Sequence, residues 1–198
     1  MDFSAHILDG ARHAHGALPG VGFRLGAAVA TGLPDACADV VFERALVHHV
    51  PDLAPVVAEA ARLLRPDGVL LIQDRTPEDV AQAGSATHPR GWLFEVFPRL
   101  LELENAHRPT TAVVAAATAA AAGLGKVVVE SLWEVRRRYS DRADYLAEIA
   151  APAGRSILHE LSDAELDRLV DELRMRLPEG PLVERDRWTL WRVERPAV

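Results

Sequence analysis

Two short runs, Asp39-Val40-Val41-Phe42 and Val69-Leu70-Leu71-Ile72, flank a stretch in which Val56, Val57, Ala60, Ala61 and Leu64 recur at helical spacing. Runs this apolar, without polar alternation, suit strands buried in a parallel sheet, and the stripe between them suits the helix that carries the chain back. Arg65-Pro66-Asp67-Gly68 stops that helix with proline and glycine. A strand, a helix and a strand within about 35 residues form a parallel crossover unit, which commits the chain to an α/β fold.

Upstream, Ser4 is placed to cap a helix bearing Ile7, Leu8, Ala11 and Ala14 and ending at Gly16, and Val21 to Leu25 reads as a strand. Gly32-Leu33-Pro34-Asp35 is turn chemistry. Downstream of Thr76 longer helices are expected, around Trp92 to Glu104, in the alanine-rich tract Thr110 to Gly123, and from Asp141 to Ala151 behind Ser140. Lys126 to Val135 is strand-like, Ser162-Asp163-Ala164-Glu165 has the form of a capping box, and Leu166, Leu169, Val170, Leu173 and Leu177 continue one stripe. Trp188 to Val193 reads as a last strand.

The 198 residues, 49% of them hydrophobic, are enough for one domain with a real core. A net charge of −7 argues against general affinity for nucleic acid or anionic membrane. Arg136-Arg137-Arg138, the one basic run, reads as a solvated strand end. The single cysteine, Cys37, excludes an internal disulfide and suits a reducing, cytoplasmic setting. No basic stretch followed by an apolar run marks a signal peptide, and the alanine-rich tract is shorter than the roughly 20 residues a bilayer span needs.

With these elements placed, four blocks resemble the class I S-adenosylmethionine-dependent methyltransferases of the small-molecule type. Met1 to Arg12 is similar to the end of that family's second strand and its following helix. Phe23 to Ala28, then Leu33-Pro34, resembles its third strand and adenine-side loop. Asp39 to Asp52 resembles its fourth strand and the segment beside the transferred methyl. Ala58 to Ile72 resembles the helix and fifth strand that end the cofactor half. The resemblance implies a Rossmann-like sheet with an antiparallel C-terminal strand pair and several helices. It divides the chain into a partial cofactor-binding half, residues 1–75, and a unit of substrate-facing helices and the last two strands, residues 76–198.

The implied activity is methyl transfer from S-adenosylmethionine to an unidentified small molecule. Asp2 and Phe3 would contact the ribose side, Gly26, Ala27 and Ala28 would line adenine, and Glu43, Arg44 and Ala45 would approach the methionine moiety. Two departures stand out: the family's first strand and glycine-rich loop have no counterpart, and Ala27 stands where an acid often faces the adenine amino group. The chain is therefore expected to be an N-terminally truncated, late-starting member. A charge-assisted hydrogen bond contributes about 1.5–3 kcal/mol against roughly 8 kcal/mol for a micromolar ligand, so these losses would weaken cofactor binding. The alternative is a catalytically silent module for binding or oligomerisation. The gap in the sheet would be filled by Val21 to Leu25 pairing with Asp39 to Phe42, or by a homodimer covering exposed edges.

His48 and His49 are the candidate general bases, since imidazole titrates near neutral pH. Neighbouring helical residues diverge by about 100°, so both are not expected at one site. Glu43 and Arg44, just past a strand end, are placed for a site or for an ion pair at the rim. Trp92, Phe94 and Phe97 read first as core, and Glu95 or His107 as possible orienters of an acceptor. His13-Ala14-His15 splays its rings apart, so no metal site is expected.

Overall fold

A computed structural model describes residues 1–121, 123–151 and 155–197; Ala122 of the alanine-rich tract and Val198 lie outside them. The sheet has four strands in the order β1-β2-β4-β3: β1 (Ala38–Arg44), β2 (Leu64–Asp74), β3 (Val128–Tyr139) and β4 (Leu182–Glu194). β1 and β2 run parallel, Val41 opposite Leu70 and Glu43 opposite Ile72, as the crossover pattern requires. The helix between them, α2 (Ala54–Leu63), follows α1 (Ala5–His15) in the chain. β4 runs antiparallel to both β2 and β3, which gives the expected C-terminal strand pair.

Ser4 caps α1 by accepting a hydrogen bond from the Ile7 amide, and Gly16 ends it. The strand expected at Val21 to Leu25 is reduced to one parallel bridge between Asp2 and Leu25. The Asp2 amide donates to the Arg24 carbonyl at 3.2 Å and the Gly26 amide to the Asp2 carbonyl at 3.0 Å. Glycines at positions 20 and 22 disfavour extension of this segment. Leu25 pairs with Asp2 and not with β1, which overturns the expectation that it crosses to Asp39–Phe42. This segment is tied to the body through Thr31, whose amide and hydroxyl both reach Glu59 of α2, at 2.8 and 2.6 Å.

The helix expected over Trp92 to Glu104 is two, α4 (Arg90–Val96) and α5 (Pro98–Asn105), preceded by the short α3 (Pro77–Val80). The break falls at Phe97 (φ −130°, ψ 78°), because the ring of Pro98 excludes helical geometry from the residue before it. α6 (Thr111–Ala120) occupies the alanine-rich tract, α7 (Arg142–Ala150) is capped by Asp141 in place of Ser140, and α8 (Asp163–Arg176) opens with the capping box of Ser162 and Glu165.

Two apolar clusters form the interior. Val57, Ala60, Leu64, Leu70, Ile72, Val114, Trp191 and Val193 join α2, β2, α6 and β4. Phe94, Phe97, Leu100, Tyr145, Leu158, Leu169 and Leu173 join α4, α5, α7 and α8. Phe94 and Phe97 are thus core, as read, and Trp92 is half-buried against this cluster. The arginine run is not simply solvated. Arg136 lies 2.8 Å from Glu184 and 3.1 Å from Glu148, in a network with Arg155 and Tyr139.

Candidate functional site

Alternation along β2 places Leu70, Ile72 and Asp74 on one face, the first two in the apolar layer and the third just beyond it at the carboxyl end of the strand. β1 ends beside it. Ala45 adopts a left-handed conformation (φ 49°) and donates its amide to the Gln73 carbonyl at 2.9 Å, which turns the chain into the 3₁₀ turn Val47–His49. That turn sets His48 against Asp74, with Nδ1 2.9 and 2.8 Å from the two carboxylate oxygens. With Nδ1 donating, the free lone pair of the neutral ring is on Nε2.

Asp74 is fully buried and accepts from the Arg75 amide at 2.7 Å, the His48 amide at 3.3 Å and Arg108 at 3.4 Å. Burial pushes its carboxyl up, but the His48 contact and these amides outweigh it and hold it below the ordinary aspartate range. His49 lies alongside, its ring centroid 3.9 Å from that of His48. The two imidazoles therefore share one locality, contrary to the helical-divergence argument, because the tight turn tilts them together at 43°. Burial and the neighbouring His48 lower the pKa of His49.

Glu104 of α5 and Arg108 just after it reach the chain at the end of β2. Glu104 receives three guanidinium groups: Arg90 at 2.9 Å, Arg75 at 3.2 Å, and Arg108. Arg75 also stacks over the Trp188 ring of β4, 5.4 Å from its centroid, with Arg44 over the same ring at 5.0 Å. Arg44 pairs with Glu134 at 2.8 Å, so the rim ion pair is with β3 and not with Glu43. Glu43 is buried, its Oε2 has no hydrogen-bond partner among the described residues, and burial raises its pKa to about 7.

The sequence-derived candidates fall into two groups. Glu43, Arg44, Ala45, His48 and His49 converge at the carboxyl ends of β1 and β2, where open α/β sheets bind ligands. Asp2, Phe3, Gly26, Ala27 and Ala28 form the other group around the Asp2–Leu25 bridge, and among the described residues no hydrogen bond joins it to the first. Asp2 Oδ1 accepts from the Ser4 amide at 2.8 Å, and Phe3 is exposed. Glu95 is turned away from the strand ends, toward the Gly84 amide at 3.0 Å and Arg176 at 2.9 Å. Among the described residues no group of His, Cys, Asp or Glu is arranged to hold a metal. Sequence reasoning missed Asp74, Arg75, Arg108 and Trp188 as site residues. Only Asp74, at the carboxyl end of a predicted strand, carried a signal.

Residues 1–72 match a family model described as "Methyltransferase domain". No curated protein matches the sequence. Among solved structures, a Bacillus halodurans protein provisionally assigned as a methyltransferase is 16% identical, with 99% of this chain and 81% of that one covered at a TM-score of 0.55. A protein provisionally assigned as a methyltransferase of an antibiotic biosynthesis pathway in Anabaena variabilis is 17% identical, with 87% and 73% covered at 0.61. The [4+2]-cyclase SpnF is 13% identical, with 99% and 65% covered at 0.53. At these identities the likeness establishes the fold, and the presence of a cyclase among the neighbours shows that the fold alone does not fix the reaction.

Proposed function

We propose that the chain transfers a methyl group from S-adenosylmethionine to a small molecule, because its fold is that of the class I S-adenosylmethionine-dependent methyltransferases and residues 1–72 match a methyltransferase-domain model. The observation that carries this reading is the His48–Asp74 pair at the carboxyl ends of β1 and β2, within and just beyond the matched segment. The cofactor, when bound, supplies an electrophilic methyl group on a positively charged sulfonium.

Asp2, with Oδ2 free of hydrogen bonds among the described residues, fits a ribose hydroxyl acceptor. Phe3, Gly26, Ala27 and Ala28 would flank the nucleoside. Glu43, whose buried Oε2 lacks a donor, fits the amino end of the methionine moiety, with Arg44 and Ala45 beside it. His48 accepts the proton of the attacking group at Nε2, and Asp74 holds the tautomer and stabilises the charge that the ring acquires. His49, its pKa lowered, stays neutral near pH 7 and forms one wall of the site.

The same reading takes a cytoplasmic location, in keeping with the single thiol of Cys37, and a homodimer. β1 has a free edge, and antiparallel pairing of two copies about Val41 sets Val40 opposite Phe42 of the second copy, an apolar cross-strand pair.

Calorimetric titration with S-adenosylhomocysteine tests the proposal. Micromolar binding that Asp2→Ala weakens is the expected result. No binding at near-millimolar ligand would sink it and favour a silent module that keeps the α/β core without cofactor.

A further inference from the structure

The charge set over the strand ends is more cationic than the His48–Asp74 pair needs. Three guanidiniums, Arg75, Arg90 and Arg108, are joined by hydrogen bonds or ion pairs to two carboxylates, Glu104 and Asp74. Asp186 of β4 also bears on Arg75 electrostatically, but no hydrogen bond links them. The side chains of Arg75, Arg90 and Arg108 are only 12, 9 and 7% exposed, and in all three Nε is buried without a hydrogen-bond partner among the described residues. Buried guanidinium donors left unpaired are costly, so the orphaned Nε atoms of the two arginines nearest the strand end, Arg75 and Arg108, point to an acceptor from outside the chain. Burial, then the neighbouring Arg90 and Arg108, lowers the pKa of Arg75 to about 9, and the nearby Asp186 and Glu104 offset this only in part.

Position fixes which members face a ligand. Arg108 shares Asp74 with His48 and so lies beside the imidazole pair, Arg75 follows Asp74 in the chain and stacks on the half-buried Trp188, and Arg90 belongs to α4. Planar guanidiniums bind carboxylate and phosphate oxygens with paired N–H donors, which suits an oxyanion better than a neutral hydroxyl.

We infer that Arg75 and Arg108, backed by Arg90 and with Glu104 as their internal counter-charge, form an oxyanion subsite beside His48, and that the molecule taken there carries a carboxylate or a phosphate. Calling that molecule the methyl acceptor rests on the methyl-transfer reading above; the oxyanion subsite itself does not.

The test uses the full chain without nucleotide, titrated calorimetrically with inorganic phosphate and with benzoate, against chloride at matched ionic strength. Expected is saturable binding of at least one probe. Tighter phosphate binding assigns a phosphate ester and tighter benzoate binding a carboxylic acid. Glu104→Gln removes the competing carboxylate and should tighten binding about tenfold, whereas Arg108→Gln should weaken it about tenfold. If Arg108→Gln does not fold, Arg75→Lys keeps the charge but loses the paired donors, and an intermediate loss is expected. No saturable binding in either the parent chain or Glu104→Gln overturns the inference, as does binding that neither arginine variant changes. Phosphate binding in a chain that fails to bind S-adenosylhomocysteine would leave the subsite standing and remove only its assignment to a methyl acceptor.

Discussion

At the residue scale the two buried acids of the site titrate in opposite directions, because only one of them is paired. Glu43 has a folded pKa of about 7 against an ordinary value of 4.5, a difference equivalent to about 3 kcal/mol. A raised carboxyl favours the folded state while protonated, so this contribution is complete below pH 4.5 and lost as pH rises through 7. Glu43→Gln should therefore unfold at nearly the same denaturant concentration across that window, while the parent chain loses about 3 kcal/mol. Urea titrations at several pH values check it. Asp74 is the reverse case: its depressed pKa contributes stability above the ordinary value of 3.8 that disappears as pH falls through the folded value. Asp74→Asn leaves His48 without its carboxylate and Arg108 with Glu104 alone, and should cost about 3 kcal/mol at neutral pH, with a flatter acid limb. His48→Ala should keep the fold and lower the proposed methyl-transfer rate by about 10²- to 10⁴-fold.

At the scale of elements, the site depends on how short helices are attached to strand ends. α3 begins where β2 stops. Thr76 and Asp79 cap each other there, and Asp79 then accepts from Thr189 at 2.6 Å and Arg187 at 2.8 Å on β4. One carboxylate thus fixes the chain immediately after Asp74 and Arg75 to the neighbouring strand. Thr76→Val removes the cap hydroxyl in a buried position and should cost about 1–2 kcal/mol, measured as a drop in thermal midpoint. The capping boxes of α3 and α8 have the same physical form, but only that of α8 was read in advance. Ser162 precedes a fourteen-residue amphipathic stripe, whereas Thr76 precedes four residues that show no period. Pro98 in the same way carried the information for the α4–α5 break, hidden by the apolar spacing that runs through it.

For the whole molecule, β1 is an edge strand whose Val40 and Phe42 are each 54% exposed, an arrangement that favours pairing with another strand. Sedimentation velocity should show concentration-dependent dimerisation, and Phe42→Lys should shift the population to monomer without changing the circular dichroism spectrum. The α/β class and the parallel crossover were legible in the chain, because buried strands and amphipathic helices impose short periods on the sequence, while the terminal antiparallel pair was expected from the family resemblance. His48 and His49 are candidates for their imidazoles and their place in the resembled segment, and Glu43 for its place at a strand end; the structure puts Glu43 at the end of β1 and the two histidines in the 3₁₀ turn after it. The partner of each was decided by the tertiary structure alone. Asp74 lies 26 residues from His48, Glu134 lies 90 residues from Arg44, and Arg75 meets Glu104 across 29 residues. A charge pair has no period and no required spacing in sequence, so only the tertiary structure, with β1 laid beside β2 within the sheet and α5 brought to the chain after β2, sets these groups within hydrogen-bond distance.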